Sequence, residues 1–173
     1  RPAGAFGSWK AGASGTWKAE QRTPISREQR DAIGEAQRKR EAQRDREHAN
    51  AAHRALIIRN DSCRADPAHP YLKAKRVKPH KCRQYGHRLV VPLYDFSGHL
   101  QSLQFIDVDG DKKLLKGGRK KGCFIPVSGR MPASRVLICE GWATGATLAE
   151  SEPDALVLAA VDAHNLAAVA VGA

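Results

Sequence analysis

Glu140 is the residue whose type and position are best suited to chemistry in this chain. It directly follows a short apolar run, Val136–Cys139, which predicts a buried strand, and Gly141 comes next. In open α/β sheets, ligands and catalytic groups gather at the carboxyl ends of the strands. A carboxylate placed there can take up a proton or bind a divalent cation. The same pattern also occurs in many α/β proteins whose glutamate has no functional role, so the sequence leaves both interpretations open.

A second candidate site is a run of cationic residues and glycines at positions 112–122, which we call the cationic segment. Six of its eleven residues are lysine or arginine, and three are glycine. Glycines let backbone N–H groups approach a phosphate, and the cations neutralise its charge. The residues that this pattern predicts to bind nucleic acid are Lys112, Lys113, Lys116, Gly117, Gly118, Arg119, Lys120 and Lys121. A charge run is also typical of a solvated loop, which is the alternative.

The charge balance of the whole chain favours a polyanionic partner. The 173 residues include 29 lysines and arginines against 18 aspartates and glutamates, which gives a net charge of +11. Such an excess indicates nucleic acid in preference to a membrane surface. The sequence contains no run of eighteen apolar residues and no charged-then-apolar opening, so we expect no membrane association.

The cysteines and histidines give little reason to expect a metal bound through them. The four cysteines are Cys63, Cys82, Cys123 and Cys139. They are widely spaced and form no C-x-x-C motif, which is typical of a reduced, cytoplasmic protein. His69, His80 and His87 lie near the first two cysteines, but their spacing matches no common zinc motif, so we expect no zinc.

The residues around Glu140 predict a parallel α/β unit. After Gly141, a small-residue turn leads into a helix that continues to Glu150. A second apolar strand follows at 155–161, and a turn at 162–165 leads into another apolar helix. The order strand, helix, strand, helix is typical of parallel strands joined by right-handed crossovers.

Upstream of this unit, the apolar pattern changes to the two-residue period of β-strands. The predicted strands are 88–95, 100–107, 112–115 and 123–127. Asp109-Gly110 is a hairpin signal between the second and the third of them. We therefore expect a small antiparallel sheet over residues 88–127.

The first sixty residues combine an aromatic, glycine-rich opening with a long basic helix. Residues 1–24 alternate aromatic and small residues, which predicts a short β-meander. Trp9 and Trp17 could stack on bases, although such residues are more often hydrophobic plugs. A capping box at Ser26 starts a helix over about 27–59. Its apolar stripe is sparse, so we expect a spacer helix standing away from the rest of the protein, with DNA or partner binding as the alternative.

Taken in order, these features resemble the catalytic core of bacterial DnaG-type primases, and more closely the primases of plasmids, satellite phages and integrative elements. The matching pieces are YLKAKRV (71–77), RLVVPLYDFSGHLQSLQFID (88–107), KKLLKGG (112–118), GCFIPV (122–127), VLICEGWATGATLAE (136–150) and LAAVDAHNL (158–166). The opening RPAGAFGSWKAGASGTWKA also resembles that of the mobile-element primases. The resemblance covers most of the chain, with residues 27–60 matched only as a helix.

The resemblance implies an α+β fold in three parts. Residues 1–60 would be an N-terminal segment with the long basic helix, and residues 61–133 an antiparallel-sheet subdomain that holds the DNA template. Residues 134–173 would be a truncated Toprim domain, the parallel β-α-β-α half of a fold that primases share with topoisomerases. The family's third strand, which precedes an Asp-x-Asp motif, is not reached before residue 173.

The resemblance also implies an activity. Glu140 corresponds to the Toprim glutamate, which serves as a general base or binds Mg²⁺ or Mn²⁺ together with the Asp-x-Asp pair in two-metal phosphoryl chemistry. Asp162 follows the second strand and is not equivalent to that pair. The implied function is that of a fragment of a bacterial DNA primase, which makes primers on single-stranded DNA by metal-dependent nucleotidyl transfer. We expect the fragment to be inactive alone.

The implied partners are single-stranded DNA, nucleotides and a replicative helicase. Three other classes of protein fit the same sequence: a non-catalytic nucleic-acid-binding module on a Toprim scaffold, a nuclease- or topoisomerase-like Toprim protein, and an interaction domain that uses the long helix as an adaptor. An Asp-x-Asp motif beyond residue 173 would favour the primase over these alternatives.

Overall fold

The structure, a computed structural model, describes residues 3–8, 10–18 and 26–173. The chain divides into two units, Arg1–Glu41 and Ala42–Ala173. The larger unit contains two β-sheets with helices packed against them, and every candidate site residue lies in this unit. In the part of the chain that the structure describes, no helix combines the length and the apolar character needed to cross a membrane.

The first unit opens with a β-hairpin of two antiparallel strands, β1 (Ala3–Ser8) and β2 (Ala13–Lys18). Trp17 stands directly opposite Gly4 in this hairpin. A Cβ atom on Gly4 would lie 2.5 Å from Trp17 Nε1, so the indole ring fills space that only a glycine leaves open. The predicted β-structure of the opening is confirmed here, whereas Trp9 lies outside the described residues.

Helix α1 (Arg27–Asp61) begins where the sequence predicts it. Gln29 N–H donates to Ser26 Oγ at 3.1 Å, and Ser26 N–H donates to Gln29 Oε1 at 3.2 Å, which completes the capping box. The first half of the helix is almost entirely exposed. An ion pair one turn apart, between Lys39 Nζ and Glu35 Oε1 at 2.7 Å, adds a few tenths of a kcal/mol at most.

The second half of α1 packs against the larger sheet, so the expectation of a helix that stands away along its whole length is wrong. Ala51 and Ala55, one helical turn apart, are fully buried. Ala55 packs in a cluster with Val90, Leu103 and Phe105. The sequence pattern concealed this contact because alanines add little hydrophobicity, yet their small side chains let the helix approach the sheet closely.

The larger sheet has five antiparallel strands in sequence order. They are β3 (Cys63–Arg64), β4 (Arg83–Tyr85), β5 (Arg88–Tyr94), β6 (Leu100–Ile106) and β7 (Lys112–Leu114). Helix α2 (Pro70–Lys75) lies between β3 and β4. The hairpins predicted between β5 and β6 and between β6 and β7 are confirmed. Gly110 in the second turn has a φ of +97°, a conformation that favours glycine.

The fourth strand predicted for this sheet, at 123–127, belongs to a different sheet. Strand β8 (Ile125–Ser128) pairs antiparallel with β10 (Leu156–Ala159). Strand β10 in turn pairs parallel with β9 (Val136–Cys139), which gives the order β8-β10-β9. Alternate residues of β8 are buried, whereas β7, the edge strand of the larger sheet, is exposed along its length. Pairing with β10 therefore buries apolar surface that a place at the β7 edge would leave in water.

Helices α3 (Trp142–Ser151) and α4 (Leu166–Gly172) flank the three-stranded sheet. A Cβ atom on Gly145 of α3 would lie 2.8 Å from Val127 Cγ2, so a glycine is needed for this helix to lie so close to β8. The two sheets are joined by a backbone bridge in which Tyr94 and Phe124 exchange N–H···O bonds of 2.8 and 2.9 Å. The strands on either side of α3 run parallel in one sheet, as the sequence predicts.

Candidate functional site

Glu140 lies at the carboxyl edge of the parallel strand pair. The pairing of β9 with β10 ends in a hydrogen bond from Ala160 N–H to Cys139 O at 2.8 Å, and Glu140 is the next residue after Cys139. Glu140 is exposed and forms no hydrogen bond or ion pair with any other described residue. Gly141 then caps α3 without a side-chain hydrogen bond. The edge therefore presents an exposed carboxylate that no other described residue contacts.

The thiol beside Glu140 does not compete with it as a reactive group. Burial raises the pKa of the Cys139 thiol to about 11, against a smaller lowering by its hydrogen bond to the backbone of Gly141. Its Sγ contacts Gly141 O at 3.5 Å and Leu158 O at 3.7 Å as a weak donor. Because only the thiolate is nucleophilic, burial of the Cys139 thiol disfavours its reaction.

Asp162 is the second carboxylate at this edge, just beyond the end of β10. Lys120 Nζ donates to Asp162 Oδ2 at 2.5 Å, and Asn165 N–H donates to Asp162 Oδ1 at 3.2 Å. The Lys120 hydrogen bond and charge hold the pKa of the Asp162 carboxyl below its ordinary value of 3.8. Val161, immediately before it, has a φ of +78°, which a β-branched residue rarely adopts. Both carboxylate oxygens of Asp162 therefore already have hydrogen-bond partners within the chain.

Asn165 anchors the end of the cationic segment to the end of β10. Its side chain is buried, and its Oδ1 accepts a hydrogen bond from Gly122 N–H at 2.9 Å. Its Nδ2 lies 3.1 Å from Lys120 O and 2.9 Å from both Cys123 O and Ala160 O. Sequence reasoning missed this residue. The available signal was its place three residues after Asp162 in a turn, where such side chains often bond to the backbone.

Two of the predicted nucleic-acid-binding cations are engaged in ion pairs. Lys120 contacts Asp162, and Arg119 donates from Nη2 to Asp95 Oδ2 at 2.9 Å. Burial raises the pKa of Asp95, but hydrogen bonds from His99 N–H and the Gln101 amide, with the Arg119 charge, outweigh burial and lower it overall. Arg119 and Lys120 therefore fix the segment to the body of the protein, which leaves less of their charge for a phosphate.

The other four predicted cations are exposed and form no ion pair with any residue that the structure describes. They are Lys112, Lys113, Lys116 and Lys121. Lys112 Nζ lies 3.9 Å from the position that a Cβ atom on Gly141 would occupy. Strand β7 therefore places a lysine beside the turn that carries Glu140. This is the point at which the structure brings the two sequence-predicted sites together.

The first two glycines of the cationic segment meet packing requirements of their own. Gly117 has a φ of +79° and lies against α1, where Gly117 O is 2.9 Å from His48 Nδ1. Arg54 Nη2 donates to Lys116 O at 2.6 Å. A Cβ atom on Gly118 would lie 2.0 Å from Ser102 Oγ. Close packing alone accounts for both glycines, so their role toward phosphate stays a prediction.

The described residues do not include a grouping of three or more histidine, cysteine, aspartate or glutamate side chains that could hold a metal ion. All four cysteines are free, with three of them buried and Cys63 exposed. The predicted metal role of Glu140 therefore rests on one carboxylate.

The fold and this edge define a class of protein: a basic α+β protein that presents a carboxylate, with no partner among the described residues, at the end of a parallel strand pair and exposed lysines beside it. Comparison with known proteins agrees with the predicted primase resemblance. The chain is 36% identical over 137 residues to a DNA primase TraC of Escherichia coli, and 33% identical over 138 residues to another E. coli DNA primase TraC.

These alignments cover 76% of this chain in both cases but only 13% and 10% of the two relatives. The matched part of the chain thus spans only about one tenth to one eighth of the length of the curated relatives that it matches. No protein-family model matches the chain. No solved structure matches it either.

Proposed function

We propose that this chain is the template-binding segment of a plasmid-type DNA primase and contributes one catalytic carboxylate, Glu140, from a Toprim-like half. The observation that carries the proposal is the placement of Lys112 beside the turn of an exposed, unpaired Glu140. The similarity to two DNA primases over three quarters of the chain supports it. In this view residues 61–133 hold single-stranded DNA, and residues 134–173 begin the catalytic domain.

The proposed DNA contact uses the exposed cations of the cationic segment. Lys112, Lys113, Lys116 and Lys121 carry charges that no described carboxylate neutralises. When these lysines neutralise the phosphates of a DNA strand, the counterions bound to those phosphates are released. The affinity therefore falls as the salt concentration rises. Arg119 and Lys120 instead position the segment, which refines the sequence-based hypothesis that all six cations contact DNA directly.

The proposed role of Glu140 is to accept the proton of an attacking hydroxyl or to share a metal that other residues complete. Mg²⁺ retains several waters and is usually bound through one or two carboxylates and substrate phosphates. Among the residues that the structure describes, this edge offers only Glu140 as a free carboxylate, because Asp162 is bound by Lys120. The described residues alone thus do not fit a magnesium or manganese site, and no metal-dependent step follows from them.

We expect a longer parent protein to supply further carboxylates beside Glu140, and the topology supports this expectation. Residues Leu156 and Leu158 of β10 pack on the α4 side, and Val157 and Ala159 pack on the α3 side, so the two helices cover opposite faces of the sheet. Helix α4 also contacts β9. A right-handed crossover through α4 would therefore place the next parallel strand beside β9. Its carboxyl end, and an Asp-x-Asp motif there, would lie next to Glu140.

Binding of single-stranded DNA by this chain tests the template-binding part of the proposal. Neutralising Lys112, Lys113 and Lys121 to glutamine should lower the slope of log affinity against log salt by about two, since single strands give about 0.7 per phosphate contact. A matched control neutralises the exposed lysines Lys73, Lys75 and Lys78 around α2. Equal slopes for the wild type and the first variant would place the DNA contact elsewhere.

Primer synthesis by a longer parent protein tests the catalytic part. The parent should extend primers on single-stranded DNA in the presence of Mg²⁺, and this chain alone should not. A non-catalytic binding module is the second candidate, favoured by the lack of any described cluster of metal-ligating side chains. A parent that binds single-stranded DNA with the predicted salt slope but makes no primers would establish that second function.

A further inference from the structure

A cationic pocket lies on the larger unit, away from the edge that carries Glu140. It has a volume of about 320 Å³ and is open to solvent on one side. Its lining includes four cationic side chains, Arg59, Arg64, Lys81 and Arg83, together with His80 and Cys82 from the segment before β4 and apolar residues of β5 and β8. Cavities of this size are within the range of small-molecule sites.

The charge of this pocket is only partly neutralised: His80 in its lining contacts Glu150 Oε1 through Nε2 at 3.1 Å, whereas its lysine and three arginines have no carboxylate partner among the described residues. Among the residues that the structure describes, no aspartate or glutamate lines it. Lys81 Nζ donates to a backbone oxygen, Gly129 O, at 2.6 Å, and the Arg83 guanidinium donates to Ser62 O. Arg59 and Arg64 form no ion pair with any described residue. Four cationic side chains thus meet at one concave surface with only carbonyl oxygens as partners.

Such an arrangement creates a positive potential that favours an anion. Like charges repel, and a concave wall of low dielectric focuses their field into the opening. Burial lowers the pKa of the Lys81 ammonium, and the Arg130 charge lowers it further, which is the direction expected in positive surroundings. An anion with several acceptor oxygens would neutralise this charge and accept the hydrogen bonds that the guanidinium groups can still donate.

The remaining wall of the pocket is apolar. Pro92 and Tyr94 lie on β5, and Pro126 lies on β8. The backbone bridge from Tyr94 to Phe124 holds Tyr94 in place. A flat ring beside prolines and guanidinium groups suits a ligand that joins a phosphate to a planar base. We propose that this pocket binds the phosphate of a nucleotide, carried either by a free nucleoside triphosphate or by a unit of a single strand.

The pocket is separate from the Glu140 edge. Lys81 reaches Gly129, and a Cβ atom on Gly129 would lie 2.7 Å from the Cα atom of Leu156, the first residue of β10. Glu140 follows the opposite, carboxyl end of the neighbouring strand. At about 3.3 Å per residue, the four residues of β10 put these two ends roughly 10 Å apart. The proposed nucleotide site therefore lies at the other end of the strands from Glu140.

Calorimetric titration with adenosine triphosphate and with a ten-residue thymidine oligonucleotide, without divalent metal, tests this proposal. The double variant Arg64→Gln, Lys81→Gln should bind at least one of the two ligands at least about tenfold more weakly than the wild type, since it loses two charge-assisted contacts. The matched control is Lys73→Gln, Lys75→Gln, which removes the same charge from the exposed side of α2, outside both the pocket and the cationic segment. Melting temperatures of all three proteins check that they fold.

The pattern of losses identifies the source of the phosphate. Loss of triphosphate binding in the pocket variant alone supports a free nucleotide, and loss of oligonucleotide binding alone, with no triphosphate bound by the wild type, supports a strand. Unchanged affinity for both ligands, or equal losses in the pocket variant and its control, would overturn the proposal. If the double variant does not fold, Arg64→Gln alone replaces it, because Arg64 is exposed, with an expected loss of about threefold or more.

Discussion

Glu140 and Asp162 are carboxylates at the same edge of one sheet, yet their surroundings differ completely. Glu140 follows β9, is exposed and has no partner among the described residues. Asp162 follows the neighbouring strand β10, receives hydrogen bonds from Lys120 and from the Asn165 backbone, and has a lowered pKa. Position at a strand end therefore does not identify a chemical role. The contacts around each carboxylate separate the one available for chemistry from the one that holds a loop.

The largest expected effect is a difference in primer synthesis between variants of the two carboxylates. In a longer parent protein, Glu140→Gln should lower primer synthesis about a hundredfold or more, the usual scale for losing a general base, with an unchanged melting temperature. Primer extension on single-stranded DNA with Mg²⁺ measures the rate. Asp162→Asn in the same parent serves as the comparison and should lower the rate less than tenfold. Equal activity of Glu140→Gln and the wild type at equal stability would remove Glu140 from the mechanism.

The next largest effect is a loss of stability on removing the side chain of Asn165, which fixes the end of the cationic segment near Asp162. Asn165→Ala should lower the free energy of unfolding by roughly 3 kcal/mol, because it leaves the Gly122 N–H and the carbonyl of Ala160 without their partner in a buried site. For a chain of this size, that corresponds to a melting temperature lower by roughly 6 to 12 °C.

Thermal unfolding followed by circular dichroism measures this shift. The exposed Asn60→Ala, at the end of α1, is the control and should stay within about 0.5 kcal/mol of the wild type. Similar melting temperatures for the two variants would show that the Asn165 contacts contribute little to stability.

A smaller effect is expected for the ion pair itself. Asp162→Asn keeps a side chain that can accept the hydrogen bond from Asn165 N–H but removes the charge opposite Lys120. The two side chains are 37% and 33% exposed, so solvent screens the pair and the loss should be only about 0.5 kcal/mol. Urea unfolding at low and high salt measures it. The wild type and the variant should converge in 1 M salt, and a difference that persists there would argue against a screened ion pair.

The smallest effect is a dependence on pH. Because the pKa of Asp162 is lower in the folded chain than its ordinary value of 3.8, its contribution is fully present above that value and is lost as pH falls through the folded pKa. Urea unfolding between pH 6 and pH 2.5 should therefore show a steeper loss of stability for the wild type than for Asp162→Asn, by less than about 1 kcal/mol in total. Parallel profiles would contradict the assignment.

Features encoded by neighbouring residues were predictable from the sequence. The capping box at Ser26, the turn at Gly110 and the apolar strand before Glu140 all form as expected, because each depends on contacts within a few residues. The position of Glu140 at a parallel edge followed from the alternation of strand and helix. The roles of Glu140 and of the exposed lysines stay predictions, since composition and pattern do not report on a reaction.

Features that depend on distant partners were not predictable. Strand β8 was assigned to the wrong sheet because its partner, β10, lies some thirty residues further along the chain. The packing of α1 against the larger sheet depends on the buried residues Ala51 and Ala55. Their small side chains add almost nothing to the hydrophobic pattern of the sequence. Lys120 appeared to be one cation among six, and its pairing with a carboxylate 42 residues away distinguishes it from Lys121.

The side chain of Asn165 has a consequence for binding as well as for stability. Its hydrogen bonds to Lys120, Gly122 and Cys123 fix the backbone at one end of the cationic segment before any ligand arrives. A loop that is already ordered loses little conformational entropy when it closes on a phosphate, whereas a mobile loop loses about 1 to 2 kcal/mol for each residue that becomes fixed. Lys121, carried on this rigid stretch, can therefore contribute more of its electrostatic attraction to net affinity than the same lysine on a disordered tail.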